Sequence, residues 1–152
     1  MPRIVREADV AWEGTVSRGA GIVRAASSAA FALPVTIASR VGDPEGKTSP
    51  EELLAAAHAT CFVASLGSEL ARAGTPPDRL TVHCTITMDE VEGVGHRIVS
   101  SAISARGVAP GADAASFAQA AEAADAGCPF SALIKGSATV TVEAKLEGGT
   151  DG

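Results

Sequence analysis

Ser49-Pro50-Glu51-Glu52-Leu53-Leu54-Ala55-Ala56-Ala57-His58-Ala59-Thr60-Cys61-Phe62 opens a helix and carries a thiol into its middle. Ser49 stands where an N-cap hydroxyl accepts from the first turn. Pro50 takes the first helical position, where its missing N–H costs nothing, and Glu52, three residues after the serine, completes a capping box. Leu53, Leu54, Ala57, Cys61, Leu66 and Leu70 then recur at helical spacing until Gly74-Thr75-Pro76-Pro77 stops the helix. Cys61 therefore falls on or near the apolar stripe. Ala55, Ala56, Ala57, Ala59 and Thr60 put little bulk on the preceding turns, which suits close packing of another helix or a substrate path.

Upstream of this helix, residues 11–17 and 21–25 flank the turn Arg18-Gly19-Ala20 and read as a hairpin on which Trp12 packs. A third strand is expected from Leu33 to Arg40, followed by an exposed loop, Gly42-Asp43-Pro44-Glu45-Gly46-Lys47. Downstream, Leu80, Val82, Cys84, Ile86 and Met88 alternate with Thr81, His83, Thr85 and Thr87, the period-two pattern of a strand with one buried face. Cys84 falls on the apolar side as a small core side chain, and His83 faces solvent. A turn at residues 92–96 leads to a strand from about Arg97 to Ala105, and Ala138 to Leu146 alternates as a final strand, so that the three read as one antiparallel sheet. Between them Asp113 caps a helix running to about Asp125, Gly127 ends it, and Pro129 begins a short helix with Cys128 at its N-cap. The whole, residues 1–152, reads as a single domain.

Composition narrows the function classes. With 46% hydrophobic residues, 152 residues bury a proper core. The net charge of -6, with 12 scattered Lys and Arg, argues against nucleic acid and against an acidic membrane surface. The first nine residues, Met1-Pro2-Arg3-Ile4-Val5-Arg6-Glu7-Ala8-Asp9, lack the apolar run of a secretory leader, and no uninterrupted apolar run reaches the roughly 18 residues of a membrane span. A cytoplasmic location is the expectation. Three cysteines, an odd and small number, suit functional thiols in a reducing compartment better than a disulfide framework.

A cysteine that only fills core needs no partner, whereas one that reduces an oxidant needs a lowered pKa and a second thiol to resolve its product. Cys128, at a helix N-terminus, supplies the second thiol and gains thiolate character there. Activation of Cys61 calls for a permanent cation with a donor fork, and arginine serves best. Arg40 leads and Arg18 in the hairpin turn is second; the residues themselves leave the choice open. His58, three residues before Cys61 on the same helix face, opens a different class, a cysteine hydrolase or acyl-transferase in which the imidazole deprotonates the thiol. A zinc site of His58, Cys61 and Cys128 lacks any recognised ligand spacing. A third class is a small-molecule-binding dimer with incidental thiols.

Trp12-Glu13-Gly14, Ser49-Pro50-Glu51-Glu52-Leu53 ahead of Ala56-Ala57-His58-Ala59-Thr60-Cys61-Phe62, and Ala126-Gly127-Cys128-Pro129 followed by Lys135 together resemble the OsmC/Ohr thiol peroxidases, in the OsmC branch. Ser49 replaces the asparagine usual there and keeps an N-cap. The resemblance implies an α+β fold with a central helix pair packed against antiparallel sheets, intertwined with a second copy as a homodimer. It implies that Cys61 is the peroxidatic thiol, Cys128 the resolving thiol, Arg40 the activating arginine and Glu51 the carboxylate that orients it. It further implies organic hydroperoxides as substrates, an external thiol or dithiol as reductant, and no cofactor or metal. Glu51 and Cys61 stand ten residues apart, roughly 15 Å along a straight helix. A shared site therefore requires either a break in the helix or the Glu51 of a second copy.

Overall fold

The computed structural model describes residues 2–148; Met1, which begins the N-terminal stretch read above, and residues 149–152 lie outside the described residues. The elements divide into two compact units, one through Leu53 and one from Leu54 onward.

The first unit is built on the strands β1 (Ala8–Glu13), β2 (Ala20–Ala25) and β3 (Ala32–Val35), an antiparallel meander in that order. Trp12 stands opposite Gly21 in the register. A Cβ at Gly21 would sit 2.6 Å from Trp12 Cε3, so the indole needs a glycine across the ladder, while its Nε1–H donates to the Thr15 carbonyl at 3.2 Å. The strand expected to reach Arg40 ends earlier, at Val35, and Ile37–Val41 form a short helix, α1. The reason is local. Thr36 acts as N-cap, its hydroxyl accepting from the Ser39 N–H at 3.1 Å and bonding the Ser39 hydroxyl at 2.7 Å. Arg40 thus projects from a helical turn.

The second helix, α2 (Pro50–Arg72), is long and begins as expected, with Ser49 Oγ accepting from the Glu52 N–H at 3.1 Å. The other arm of the capping box differs: the Glu52 carboxylate accepts from Thr48 Oγ1 at 2.8 Å. Arg40 reaches the first turn of α2. Its Nη2 lies 2.6 Å from Glu51 Oε1, and its Nε–H is shared between both carboxylate oxygens at 3.0 and 3.2 Å. This two-nitrogen grip joins α1 to α2 across the loop of residues 42–48.

In the second unit α2 continues unbroken to Arg72 and packs over β4 (Arg79–Val91), β5 (Gly95–Val108), α3 (Ala114–Gly127) and β6 (Thr139–Leu146), with α4 (Pro129–Lys135) between α3 and β6. The sheet order is β4-β5-β6. β4 and β5 form the expected antiparallel hairpin, but β6 runs parallel to β5, a correction to the all-antiparallel reading. The connection between them, α3 and α4, is long enough to return the chain to the starting end of β5. Asp113 caps α3 by accepting from the Ser116 N–H at 2.7 Å, and the Ser116 hydroxyl oxygen accepts in return from the Asp113 N–H at 3.0 Å.

The core gathers Phe62, Leu66 and Leu70 of α2, Ile103 and Ala105 of β5, and Phe117, Ala120, Ala121 and Ala124 of α3, with Cys84 packed at its edge. The buried stripe of α2 is His58, Phe62, Leu66 and Leu70, one residue every four. It is rotated from the expected stripe, leaving Cys61 half-buried beside it. By length and composition, α2 is also long and apolar enough to cross a membrane, although the sequence holds no uninterrupted apolar run of that length.

Leu66→Ala removes a wholly buried side chain and is expected to cost about 2–5 kcal/mol in denaturant unfolding. Burial tends to raise the Glu51 carboxyl, but the Arg40 hydrogen bonds and charge outweigh it and hold the group below its ordinary 4.5. The stabilisation from a depressed carboxylate is present above the unfolded value and is lost as pH falls through the folded one. Glu51→Gln should therefore lower unfolding stability at pH 7, and the difference from the parent should shrink as pH falls below the ordinary carboxyl range; a difference that does not shrink with falling pH would contradict this.

Candidate active site

The Pro129 ring cannot donate from its nitrogen and starts a helix readily, so the residue before it becomes a cap. That residue is Cys128, whose sulfur accepts from the Ser131 N–H at 3.5 Å. Cys128 is buried, and its sulfur lies 3.3 Å from that of Cys61 on α2. All three cysteines are free thiols. The expected pair is thus brought together from positions 67 residues apart.

The two thiols have opposite acidities. Burial raises Cys61, the neighbouring Cys128 raises it further, and the Phe130 N–H and Ser65 hydroxyl offset only part of this. Burial opposes ionisation of Cys128 as well, but the Ser131 N–H, the Cys61 thiol, the Ser131 hydroxyl and the Phe130 N–H together carry it below the ordinary thiol value. Of the two thiols, Cys128 is accordingly the more readily ionised.

His58 does not stand free to act as a base. Its ring is wholly buried, with Nδ1 2.6 Å from Ser101 Oγ and Nε2 2.8 Å from Ser131 Oγ. Burial lowers its pKa; Asp125 acts to raise it and Lys135 to lower it, and these two are ion-paired at 2.6 Å. Cys84 on β4 touches the same group, 3.2 Å from Ser101 Oγ and 3.8 Å from His58 Nδ1. Reading by motif missed Ser101 and Ser131. Two signals pointed to them. Ser101 shares a strand face with the buried Ile103 and Ala105, where an apolar residue is the rule, and Ser131 sits three residues after the capping cysteine.

In the first unit, Arg40 is held by Glu51, whose hydrogen bond is the foremost of the influences that keep the guanidinium charged. Arg40 lines an apolar cavity of about 320 Å³ with Val10, Trp12, Val35, Ile37 and Leu53. Arg18 is exposed in the hairpin turn, its backbone N–H donating to Thr15 Oγ1 at 3.3 Å. Among the described residues, no three His, Cys, Asp or Glu side chains gather as a metal site.

Comparison with known proteins places this geometry in context. The family profile described as "OsmC-like protein" matches residues 42–143. The chain is 34% identical over 134 residues to the protein named Peroxiredoxin OsmC from Escherichia coli (strain K12), covering 88% of this chain and 92% of that one. Among solved structures, the fold is similar to an organic hydroperoxide resistance protein OsmC from Legionella pneumophila, with a TM-score of 0.74 and 18% identity over 94% of this chain and 99% of that one. It is also similar to the organic hydroperoxide resistance protein OhrB of Bacillus subtilis, with a TM-score of 0.69 and 20% identity over 91% of this chain and 98% of that one. With the family profile matched across both cysteines and a curated relative matched over most of its length, the chain belongs to the OsmC family.

Proposed function

We propose that this chain is a thiol-dependent peroxidase that reduces organic hydroperoxides through Cys61 and Cys128. The observation that carries the reading is the approach of the two sulfurs to 3.3 Å beside the N–H groups of Phe130 and Ser131. In the first step the Cys61 thiolate attacks one peroxide oxygen, the O–O bond breaks, and an alcohol leaves with one proton. In the second, the electron pair of Cys128 attacks the Cys61 sulfenic sulfur, the S–O bond breaks, and hydroxide leaves to take up a proton as water. An external dithiol returns two electrons and two protons. Sulfur chemistry suffices for this cycle, and a reducing compartment such as the cytoplasm suits it.

Cys61 needs a cation to become the attacking thiolate, because burial raises it. Arg40, fixed by Glu51, is the better candidate than the exposed Arg18. Since α2 is unbroken, Glu51 stands about 15 Å along the helix from Cys61 of the same chain. The pair therefore comes from a second copy. The outward edge of α2 supports such a partner: Ala56, Thr60, Ala64 and Ser68 are small and exposed at a spacing of four. The Thr60 and Ser68 hydroxyls are already bonded to the carbonyls of Ala56 and Ala64, so another α2 can lie close without leaving a polar group unpaired. The apolar wall around Arg40 favours peroxides with organic tails over hydrogen peroxide. The hydrolase reading gains nothing from the geometry, since both imidazole nitrogens are taken by serine hydroxyls.

Stoichiometric cumene hydroperoxide should remove two hydrogens from the intact mass of the reduced protein and of Cys84→Ser, whereas Cys128→Ser should gain oxygen; no mass change in any of the three would refute the peroxidase. Arg40→Met should lower turnover by about 10²-fold. Mixing Arg40→Met with Cys61→Ser protomers should recover activity that neither has by itself, because one site per mixed dimer is complete. Equal activity in a monomer would rule out the shared site.

A further inference from the structure

His58 and Ser131 are each wholly buried, and the peroxide chemistry uses neither directly. Their placement repeats that of the two sulfurs. His58 and Cys61 stand three residues apart on one face of α2, and Cys128 and Ser131 stand three apart across the first turn of α4. The contacts run in opposite chain order: His58 Nε2 lies 2.8 Å from Ser131 Oγ, and Cys61 Sγ lies 3.3 Å from Cys128 Sγ. The two helices therefore meet on two adjacent rungs, one of sulfur and one of imidazole and hydroxyl. The polar rung is braced from behind. The other ring nitrogen, Nδ1, lies 2.6 Å from Ser101 Oγ on β5, and Ser101 is itself fully buried. A neutral imidazole gives one proton and takes one, so one serine donates, the other accepts, and both bonds hold at once. Fixed at both nitrogens, the ring spans from the sheet to α4 as a strut.

α4 depends on such ties. It is seven residues long, too short to hold a helix by itself, and of its side chains Ser131 and Ile134 are buried. Its last turn is tied to α3 by the ion pair of Lys135 with Asp125 at 2.6 Å. Its first turn, which follows Cys128, is joined to α2 through His58. Sulfurs 3.3 Å apart must approach by about 1.3 Å to reach the length of a disulfide bond, so a small drift of that first turn would put closure out of reach.

We propose that His58 is a positioning residue for the cysteine pair: through its bond to Ser131 it docks the first turn of α4 on α2 and holds Cys128 Sγ within reach of Cys61 Sγ. Its part in turnover rests on the reading of Cys128 as the resolving thiol. Once Cys61 carries a sulfenic acid, Cys128 Sγ attacks the Cys61 sulfur, the S–O bond breaks, and hydroxide leaves to take up a proton as water. The attack is intramolecular, so its rate follows the fraction of time that the second sulfur is in place. A second peroxide molecule competes for the same sulfenic sulfur and carries it to sulfinic acid. The docking of α4 biases that competition toward the disulfide.

A glutathione redox buffer reads this placement without any peroxide. In full-length protein carrying Cys84→Ser, the Cys61 and Cys128 thiols exchange with glutathione disulfide to give the protein disulfide and two glutathione thiols, and the equilibrium yields the effective concentration of one sulfur at the other. His58→Leu and Ser131→Ala should each lower that concentration by about tenfold. The double variant should lose no more than either alone, because both remove one bond. Both keep the Ser131 backbone N–H, the donor that reaches Cys128. His58→Gln, which keeps a donor and an acceptor, should recover part of the loss. Leu70→Val weakens the core at the other end of α2 and should leave the equilibrium unchanged, which separates placement from a general loss of stability. An unchanged equilibrium in Ser131→Ala would overturn the proposal, as would an equal fall in Leu70→Val or losses that simply add in the double variant. If His58→Leu does not fold, Ser131→Ala and His58→Gln decide. In a parallel arm, protein with native cysteines meets cumene hydroperoxide, and Ser131→Ala should form Cys61 sulfinic acid at about tenfold lower peroxide than the parent. Failure of unsubstituted Cys61 to take oxygen would sink the peroxidase reading, while the glutathione equilibrium would still decide the role of His58.

Discussion

One buried imidazole ties the second unit together where its chemistry sits. His58 is the only ionisable side chain among the wholly buried residues of α2, and it is tolerated there because both nitrogens are satisfied. Removing either serine would strand a polar atom in an apolar setting, at a cost of about 1–3 kcal/mol. Cys128 is carried on the segment that Ser131 anchors, and Cys61 on the helix that His58 anchors. The separation of the two sulfurs is thus governed by polar bonds that lie outside the sulfur pair itself.

The contrast between the two thiols follows from the same arrangement. Both are desolvated, but the donors at the start of α4 are divided unequally, and Cys128 takes the larger share. Within one chain, Cys128 is thereby the more acidic of the two thiols. In the proposed peroxidase the attacking sulfur would take its guanidinium, already oriented by Glu51, from a second copy.

Much of this was legible beforehand, wherever local chemistry decides. Ser49 and Pro50 announced the start of α2, Cys128 and Pro129 that of α4, and the alternation of Leu80 to Met88 placed β4 and the orientation of Cys84. Other features depend on distant partners and escaped such reading. α1 is one turn long, and its capping by Thr36 competed with a strand pattern that continued from β3. The direction of β6 is set by the crossover before it, which alternation within the strand does not encode. The stripe of α2 was read through Ala57 and Cys61, whereas the wholly buried residues are His58 and Phe62, with Leu66 and Leu70 common to both. The partners of His58 lie 43 and 73 residues further on, too far for any local motif to join them.

The parallel placement of β6 beside β5 has a consequence for the order of events during synthesis. Cys61 emerges early, whereas α4 is positioned only between α3 and the last strand, whose pairing with β5 requires nearly the whole chain. Translation proceeds at about 5–20 residues per second, and non-local strand pairing is slow to form. On that account the proposed closure of Cys61 with Cys128 would follow the pairing of β6 with β5. The topology thereby makes the approach of the two sulfurs a late event of folding.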